Sequence, residues 1–440
     1  MSARAVIERA SANDLMQRRF ASCPAARQIG LLLVLDRDRD VGPAGLRAVV
    51  VARIPGVARL RQRLVTVPLG CGRPVWVDDP AFDVDHHLGA SVCPPPGDER
   101  ALLDLVAAVV AEPLSAERPL WRATFVHGLA DGRVGLLVVV DHVMVDGTGG
   151  LAALAHLVDG AATGSERDFP SGVPSHRTLL LDASRSRLRS LRRAWPAIRR
   201  ATTAVRQLRA GTTGRATRCS LNRPTGPTRR LGVARADLEA IRATAHAAGG
   251  TINDLALAVV TGALHDHLLE RGEAPERLVV SVPVAGREPE GDDRYGNRSA
   301  VVPLSLPAAG DTRSRITEVG EITGALSAGE RGATASVLAP VVRLLGALGV
   351  VAWYIDRQRR VNTFVTNLRG PDTRLHLAGL RVEEMVAVNA IDGNVTVAFG
   401  VLSYAGTLSL TVVTDRERGP DVERLTARVQ DQLDRCAGEA

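Results

Sequence analysis

The sequence predicts a mixed α/β protein, of the α/β or α+β class, built from two units. Three observations support this prediction. Apolar runs typical of strands alternate with helical patterns from about residue 30 to residue 165. A second alternating series follows residue 219, and the segment between the two series is rich in arginine and poor in acidic residues. We therefore predict an N-terminal domain over residues 1–174, a basic linker over 175–218 and a C-terminal domain over 219–440.

The composition is that of a globular protein and excludes several functional classes. The chain of 440 residues is 45% hydrophobic and 23% charged, with a net charge of +7. It contains no lysine, which excludes a P-loop, a Schiff base and pyridoxal chemistry. Aromatic residues make up only 3% of the chain, so few side chains are present to stack on nucleic-acid bases. The longest apolar run, Leu344–Trp353, is about half of the roughly 20 residues that span a bilayer, so we expect a cytoplasmic protein.

The N-terminal half is predicted to contain a helix followed by a hairpin. Residues 101–112 carry apolar side chains at helical spacing. The runs "WRATFVHGL" and "VGLLVVV" are typical of two strands, joined by the Asp-Gly turn of "ADGR". The second strand is continuously apolar, so both of its faces are expected to be buried. The segment "GTGGLAALAHLV" then begins another apolar helix.

The basic linker has the pattern of an amphipathic helix. Apolar residues recur at three- and four-residue spacings and face away from much of the arginine; they are Leu188, Leu191, Trp195, Ile198, Val205 and Leu208. Pro196 is expected to bend this helix. Two interpretations stay open. Residues 185–209 dock on an anionic membrane or a lipid-droplet surface, or the helix only links two domains while its arginines face water.

The second half begins with a Pro/Gly-rich entry and continues as a strand, a helix and a Gly-Gly break. The long apolar helix after the break is predicted to be capped by Thr251 or Asn253. Strand-like runs follow at "RLVVSVPVA", "SAVVPLSL", "NTFVTNL", "MVAVNAI", "NVTVAFGVLSYA" and "TLSLTVVTD". A final helix is predicted from Val422 to about Cys436.

His142 is the first candidate site residue. It follows the apolar strand Val134–Val140 and so emerges from the core at a sheet edge, where open α/β folds place ligands. An imidazole there can take a proton from a hydroxyl as a new bond forms. Asp146 is predicted to fix the following turn, and Gly147 to let the backbone bend or approach a ligand closely. From this pattern alone, a histidine packed in the core remains the alternative.

Several ordered segments resemble the bacterial wax ester synthase/acyl-CoA:diacylglycerol acyltransferase family. In that family a Pro-Leu-Trp segment, here Pro119–Trp121, precedes a His-His-x-x-x-Asp-Gly motif, here "DHVMVDG". The resemblance continues through "FDVDHHL", "LNRPTGPTRRL", "TINDLALAVV", "VPVAGRE", "YGNRSAVVPLSLP", "TNLRGPDTRLHLAGLRV" and "VLSYAGTLSLTVVTDR". It therefore covers nearly the whole chain.

The resemblance implies a fold and a reaction. The fold is a pseudo-dimer of two domains similar to chloramphenicol acetyltransferase and to condensation domains, with a tunnel between them. The reaction is direct transfer of a long-chain acyl group from acyl-CoA, a co-substrate, to the hydroxyl of a diacylglycerol or a fatty alcohol. No bound cofactor, metal or acyl-enzyme is implied. In this reaction His142 is the general base, Asp146 holds its loop and Gly147 leaves room for substrate.

Four further residues are candidates for the tunnel. Asn253 and Asp254 match an Asn-Asp motif that serves the active site in the resembled family, although both can equally cap a helix. Asn367 and Gly370 lie in a loop after an apolar strand. They are predicted either to line the tunnel or to form a turn through Gly-Pro chemistry.

The sequence departs from the family's motif at one position. Asp141 stands where the first histidine of the motif is expected. In the wider superfamily only the second histidine is essential, so the resemblance still implies activity. The change leaves the acceptor open, because this residue lies beside the base. A same-fold acyltransferase acting on a polar secondary metabolite or an amine is therefore the alternative function.

The other histidines and the cysteines are predicted to be structural. The pair His86–His87 lacks a downstream Asp-Gly. His265 and His267 are two residues apart on a predicted helix and do not share a face, so no metal site is predicted there. The five cysteines form no C-x-x-C pair, which gives no support for a zinc ribbon or a disulfide framework.

Overall fold

The computed structural model describes residues 7–11, 15, 27–36, 41–144, 147–160, 169–192, 215–285, 299–325 and 351–438. The strands are β1 (Gln28–Leu35), β2 (Gln62–Val65), β3 (Val75–Asp78), β4 (Leu88–Val92), β5 (Trp121–His127), β6 (Val134–Asp141), β7 (Arg229–Asp237), β8 (Arg277–Ala285), β9 (Ser299–Pro307), β10 (Thr363–Arg369), β11 (His376–Leu377), β12 (Leu380–Val388), β13 (Val397–Tyr404) and β14 (Thr407–Asp415). The α-helices are α1 (Gly42–Arg53), α2 (Glu99–Ala111), α3 (Gly147–Ala155), α4 (His176–Arg192), α5 (Leu238–Ala247), α6 (Ile252–Leu269), α7 (Thr312–Gly324), α8 (Val351–Ile355) and α9 (Val422–Gly438).

The first sheet has the strand order β11-β12-β1-β6-β5-β4. Strands β5 and β6 form the predicted antiparallel pair, with Trp121 opposite Val140. The prediction that β6 is buried on both faces is confirmed. Leu137 and Val139 belong to a core cluster that includes α2, whereas Leu136 belongs to a cluster that includes α1. The end of β6 is therefore held between two packed layers.

Strand β12 lies in the second half of the chain yet completes the first sheet. It pairs antiparallel with β1, so that Leu31 lies opposite Ala387 and Leu33 opposite Met385. The next strand, β13, belongs to the second sheet. The three domain ranges stay predictions. In the structure, one strand of the range 219–440, β12, pairs with a strand of the range 1–174.

The second sheet has the order β7-β14-β13-β10-β8-β9. Strand β10 runs parallel to both of its neighbours, β13 and β8. Helix α6 is buried along almost its whole length, because its apolar residues share one core cluster with α5, α9 and the sheet. Thr251 is the N-cap of α6, so one of the two predicted capping residues is confirmed in that role.

Helix α4 is the described beginning of the basic linker. Leu179 and Ala183 are buried on one side of it, and Leu179 packs against Cys71 and Val75. Residues 193–214, which include the predicted bend at Pro196, lie outside the described residues. Among the helices that the structure describes, none alone is long and apolar enough to cross a bilayer. Of these helices, α5 and α6 taken together are long and apolar enough, and they are bent by 91° at their junction.

Candidate active site

The loop that carries His142 begins where β6 ends. Strand β6 finishes at Asp141, and the next three residues form a turn in which Val143 and Met144 are buried while His142 is half-buried. The main-chain N–H of His142 donates to the carbonyl of Arg27, 2.9 Å away, and the N–H of Met144 donates to the carbonyl of Asp141 at 2.9 Å. The turn is therefore fixed by main-chain hydrogen bonds on both sides of the histidine.

Asp141 has a defined structural role beside His142. Its side chain is 3% exposed, and one carboxylate oxygen accepts a hydrogen bond from Arg27 Nε at 2.9 Å. The other oxygen accepts from the main-chain N–H of Val143 at 2.9 Å, which closes a turn around His142. Sequence reasoning did not identify Arg27. No motif marks it, because its importance depends on a strand pairing more than a hundred residues away.

The His142 turn lies where the two sheets meet. Val143 and Met144 share a core cluster with Leu154 of α3, Leu402 of β13 and, at its margin, Leu368 of β10. Helix α3 begins at Gly147 and lies against β10. Asp146, which was predicted to hold this loop, lies outside the described residues. The geometry thus brings the His142 turn and Gly147 to the junction that the first and second sheets share.

Two of the candidate tunnel residues are in contact with each other. Asn367 lies within strand β10, so the prediction that it lies in a loop was wrong. Its side-chain amide donates to the side-chain carbonyl of Asn253, at the start of α6, across 3.2 Å. Asn253 is not the residue that caps α6, so its side chain is available for this contact. The structure therefore joins two polar residues that are 114 positions apart in sequence, and one of them lies on β10, the strand that α3 contacts.

The carboxylate of Asp254 forms helix-capping contacts. It accepts hydrogen bonds from the Thr251 main-chain N–H at 2.8 Å and from the Thr251 hydroxyl at 2.6 Å. The second oxygen accepts from the Thr323 hydroxyl at 2.7 Å. Asp254 is only 3% exposed. The sequence left open whether Asn253 and Asp254 line the tunnel or cap a helix. These contacts favour helix capping for Asp254 and not for Asn253.

Gly370 also has a packing explanation. Its N–H donates to the carbonyl oxygen of Ser403 at 2.9 Å, and a Cβ atom at this position would lie 2.6 Å from the same oxygen. The main chains of β10 and β13 therefore approach here as closely as glycine allows. This contact keeps the end of β10 in register with β13, and whether Gly370 also lines the tunnel stays a prediction.

His87 and His265, two of the histidines predicted to be structural, contact protein atoms. His87 is 3% exposed and stacks on Trp121 with ring centroids 4.6 Å apart, while its Nδ1 lies 2.8 Å from the Trp121 carbonyl. Burial lowers the pKa of His87. His265 Nδ1 lies 3.0 Å from the carbonyl of Pro275, and burial lowers the pKa of His267. Within the described ranges, no group of three or more His, Cys, Asp or Glu residues is arranged to hold a metal ion.

Comparison with known proteins identifies related sequences. The chain matches the family model of the wax ester synthase/diacylglycerol acyltransferase catalytic domain over residues 11–256, and that of the WS/DGAT C-terminal domain over residues 295–436. It is 30% identical over 429 residues to the probable diacylglycerol O-acyltransferase tgs1 of Mycobacterium tuberculosis, covering 92% of this chain and 90% of that protein. A putative diacylglycerol O-acyltransferase of Mycobacterium bovis matches with the same identity and coverage.

Solved structures confirm the predicted fold. The wax ester synthase/diacylglycerol acyltransferase from Marinobacter aquaeolei VT8 superposes with a TM-score of 0.69 at 22% identity, covering 98% of this chain and 100% of that chain. A starter condensation domain of rhizomide synthetase, in complex with C8-CoA, gives a TM-score of 0.64 at 17% identity over 99% of this chain and 95% of that chain. Both likenesses span nearly the whole molecule, so the two-sheet architecture is the chloramphenicol acetyltransferase-like fold.

Proposed function

Since the chain belongs to the wax ester synthase/diacylglycerol acyltransferase family and is therefore an acyltransferase, we propose that it transfers a long-chain acyl group from acyl-CoA to the hydroxyl of a diacylglycerol or a fatty alcohol. His142 is the general base of the proposed reaction. The observation that carries the proposal is the position of the His142 turn, fixed at the end of a buried strand and at the junction of the two sheets. Proteins preferentially bind small molecules at the interfaces between domains.

The proposed chemistry is a single transfer. His142 accepts the proton of the acceptor hydroxyl while the oxygen attacks the carbonyl carbon of the thioester. The C–S bond then breaks, and the proton held by His142 passes to the CoA sulfur, so that the products are an ester and free CoA. Hydrogen-bond donors around the reacting carbonyl stabilise the negative charge that develops on its oxygen. No acyl-enzyme forms in this scheme.

We infer the substrate classes from the names of the related proteins and from the polar side chains at the junction of the two sheets. The Mycobacterium proteins carry the name diacylglycerol O-acyltransferase, and the condensation domain of similar fold was solved with C8-CoA. In our proposal the Asn253–Asn367 pair lines the acceptor side of the tunnel and hydrogen-bonds a hydroxyl. Arginine side chains bind the phosphates of CoA, for which their planar guanidinium groups are suited.

The acceptor class is tested by measuring release of free CoA thiol from palmitoyl-CoA. Purified protein is supplied in parallel with a diacylglycerol, with hexadecanol and with no acceptor. We expect release that depends on one of the two lipids. No acceptor-dependent release with either lipid would overturn the lipid assignment and leave the polar-acceptor alternative.

Direct transfer is tested separately by mass spectrometry. The protein is incubated with palmitoyl-CoA in the absence of acceptor, and its intact mass is then measured. We expect no added palmitoyl group. A protein heavier by one acyl chain that loses this chain when acceptor is added would contradict the single-step scheme.

The proposal includes contact with an anionic lipid surface at the cytoplasmic side of the membrane. A leucine–arginine face lies on the outer side of α4 and the neighbouring loop; it comprises Leu69, Leu180, Leu181, Leu188, Arg185 and Arg187. The guanidinium of Arg187 donates to the carbonyl of Gly70 at 2.9 Å, which ties the loop with the fully exposed Leu69 to the helix. Exposed leucines beside arginines suit the interface of an anionic bilayer.

This surface is tested by sedimentation with vesicles of phosphatidylcholine, with and without phosphatidylglycerol. Leu181→Glu is compared with Leu269→Glu, because these leucines are 48% and 47% exposed and the change in charge is the same. We expect binding to the anionic vesicles that weakens at high salt and is lost only in Leu181→Glu. Equal binding of both variants would overturn the membrane contact and favour a helix that merely links the domains.

A further inference from the structure

The carboxylate of Asp141 lies beside His142, at the position where the first histidine of the family's motif is expected. It is nearly fully buried, and a buried carboxylate is costly unless it is paired and hydrogen-bonded. Its two oxygens are satisfied by Arg27 Nε and by the N–H of Val143, both at 2.9 Å. Each bond ends on a residue that flanks or contacts His142. The carboxylate is thus placed to control the main chain that carries the histidine.

Arg27 contacts the same turn twice. Its side chain forms the ion pair with Asp141, and its main-chain carbonyl accepts the N–H of His142 at 2.9 Å. Its guanidinium lies at the margin of the core, with the side chain 19% exposed. One residue therefore binds both Asp141 and His142, so a shift of Arg27 moves the His142 turn.

The position of Arg27 is itself fixed by the next residue. Gln28 pairs with Asp141 in the β1–β6 register and is 1% exposed. Its side-chain amide donates to the carbonyls of Val110 and Glu112 at 2.5 and 2.8 Å, and its side-chain oxygen accepts from the N–H of Leu114 at 2.9 Å. The end of α2 thereby anchors the start of β1. This anchor makes the Arg27–Asp141 pair a rigid support rather than a mobile surface contact.

We infer that Arg27 and Asp141 form a positioning pair that holds His142 in its reactive orientation, an inference that rests on the proposed role of His142. Asp141 occupies the place of the first motif histidine, and Arg27 supplies the charge that a buried carboxylate there requires. Neither residue is assigned a proton transfer. Their effect reaches the reaction through the backbone of the His142 turn, where a small displacement costs a large part of the rate.

The inference is tested by a double-mutant cycle of Arg27→Gln, Asp141→Asn and the two changes combined. All kinetic constants are expressed per folded protein, as measured by circular dichroism. We expect each single variant to lower kcat about 10- to 100-fold with little change in the KM for palmitoyl-CoA. The double variant is expected to recover to within about 5-fold of the wild type, because a neutral amide pair leaves no unpaired charge. Arg27→Lys, which keeps the cation, is expected to lose less activity than Arg27→Gln.

A matched control separates positioning from stability. Arg53→Gln breaks another half-buried ion pair of the first domain, in which Arg53 binds Asp159 and the carbonyl of Leu157. It is expected to lower stability while kcat per folded protein stays at the wild-type level. If the Arg27 and Asp141 variants behave like Arg53→Gln, the positioning role is wrong. If the wild type shows no acceptor-dependent transfer, the proposed function fails instead, and the two failures are therefore distinguishable.

Discussion

We predict that alanine at Asn253 and alanine at the adjacent Asp254 impair different properties of the protein. Asp254 receives three hydrogen bonds, from the N–H and hydroxyl of Thr251 and from the hydroxyl of Thr323. Among the described residues, Asn253 forms one side-chain hydrogen bond, with Asn367. Asp254→Ala is therefore expected mainly to destabilise the fold, and Asn253→Ala mainly to impair the reaction.

The magnitudes follow from the number and kind of these bonds. A lost N-cap costs about 1 kcal/mol, and hydrogen bonds to a charged group are worth about 1.5–3 kcal/mol each but are not additive. Because Asp254 is buried, we expect Asp254→Ala to lower the free energy of unfolding by about 3–4 kcal/mol. Asn253→Ala removes one neutral bond and is expected to cost about 1 kcal/mol.

Urea unfolding followed by circular dichroism measures these differences, and CoA release measures activity. Asp237→Ala is the matched control, since Asp237 caps α5 through one bond to Ala240 and is exposed; its expected cost is about 1 kcal/mol. A cost for Asp254→Ala no larger than that of Asp237→Ala would refute the capping argument. Full activity in Asn253→Ala would refute the placement of Asn253 in the acceptor tunnel.

Two further predictions concern stability. Gly370→Ala places a Cβ atom 2.6 Å from the Ser403 carbonyl oxygen and is expected to cost about 1–3 kcal/mol in urea unfolding, whereas no measurable cost would contradict the close approach of the two strands. Burial lowers the pKa of His87 below its ordinary value of 6.5, so the unfolded chain binds more protons than the folded chain once the pH falls below that value. The free energy of unfolding should therefore fall more in the wild type than in His87→Asn between about pH 7.5 and about pH 5, and equal losses would show that His87 does not contribute.

The elements with strong local patterns were predictable from the sequence. The β5–β6 pair, the burial of β6 on both faces and the cap at Thr251 follow from an Asp-Gly turn, an unbroken apolar run and a residue that favours N-caps. These features depend on neighbours within a few residues. Local physics was therefore sufficient for them.

The features that depend on distant residues were not predictable. Only the end of strand β12 is a continuous apolar run like those of its neighbours, and nothing in its own sequence indicates that it pairs with β1 rather than with strands of the second sheet. Arg27 gains its partner only when β1 and β6 are placed side by side. The Asn253–Asn367 contact likewise requires α6 and β10 to meet. Long-range pairing determines these contacts of the candidate site, and a single sequence does not encode such pairing as a local pattern.

The general-base role of His142 is tested most directly by the rate of acceptor-dependent CoA release in His142→Ala, compared with wild type and with His86→Ala. His86 is an exposed histidine of the same domain and serves as the matched control. A general base contributes about 10²–10⁴-fold, so we expect a loss of this size in His142→Ala with the fold intact and the wild-type rate in His86→Ala. A His142→Ala protein that is folded and retains most of the activity would contradict the general-base role of His142.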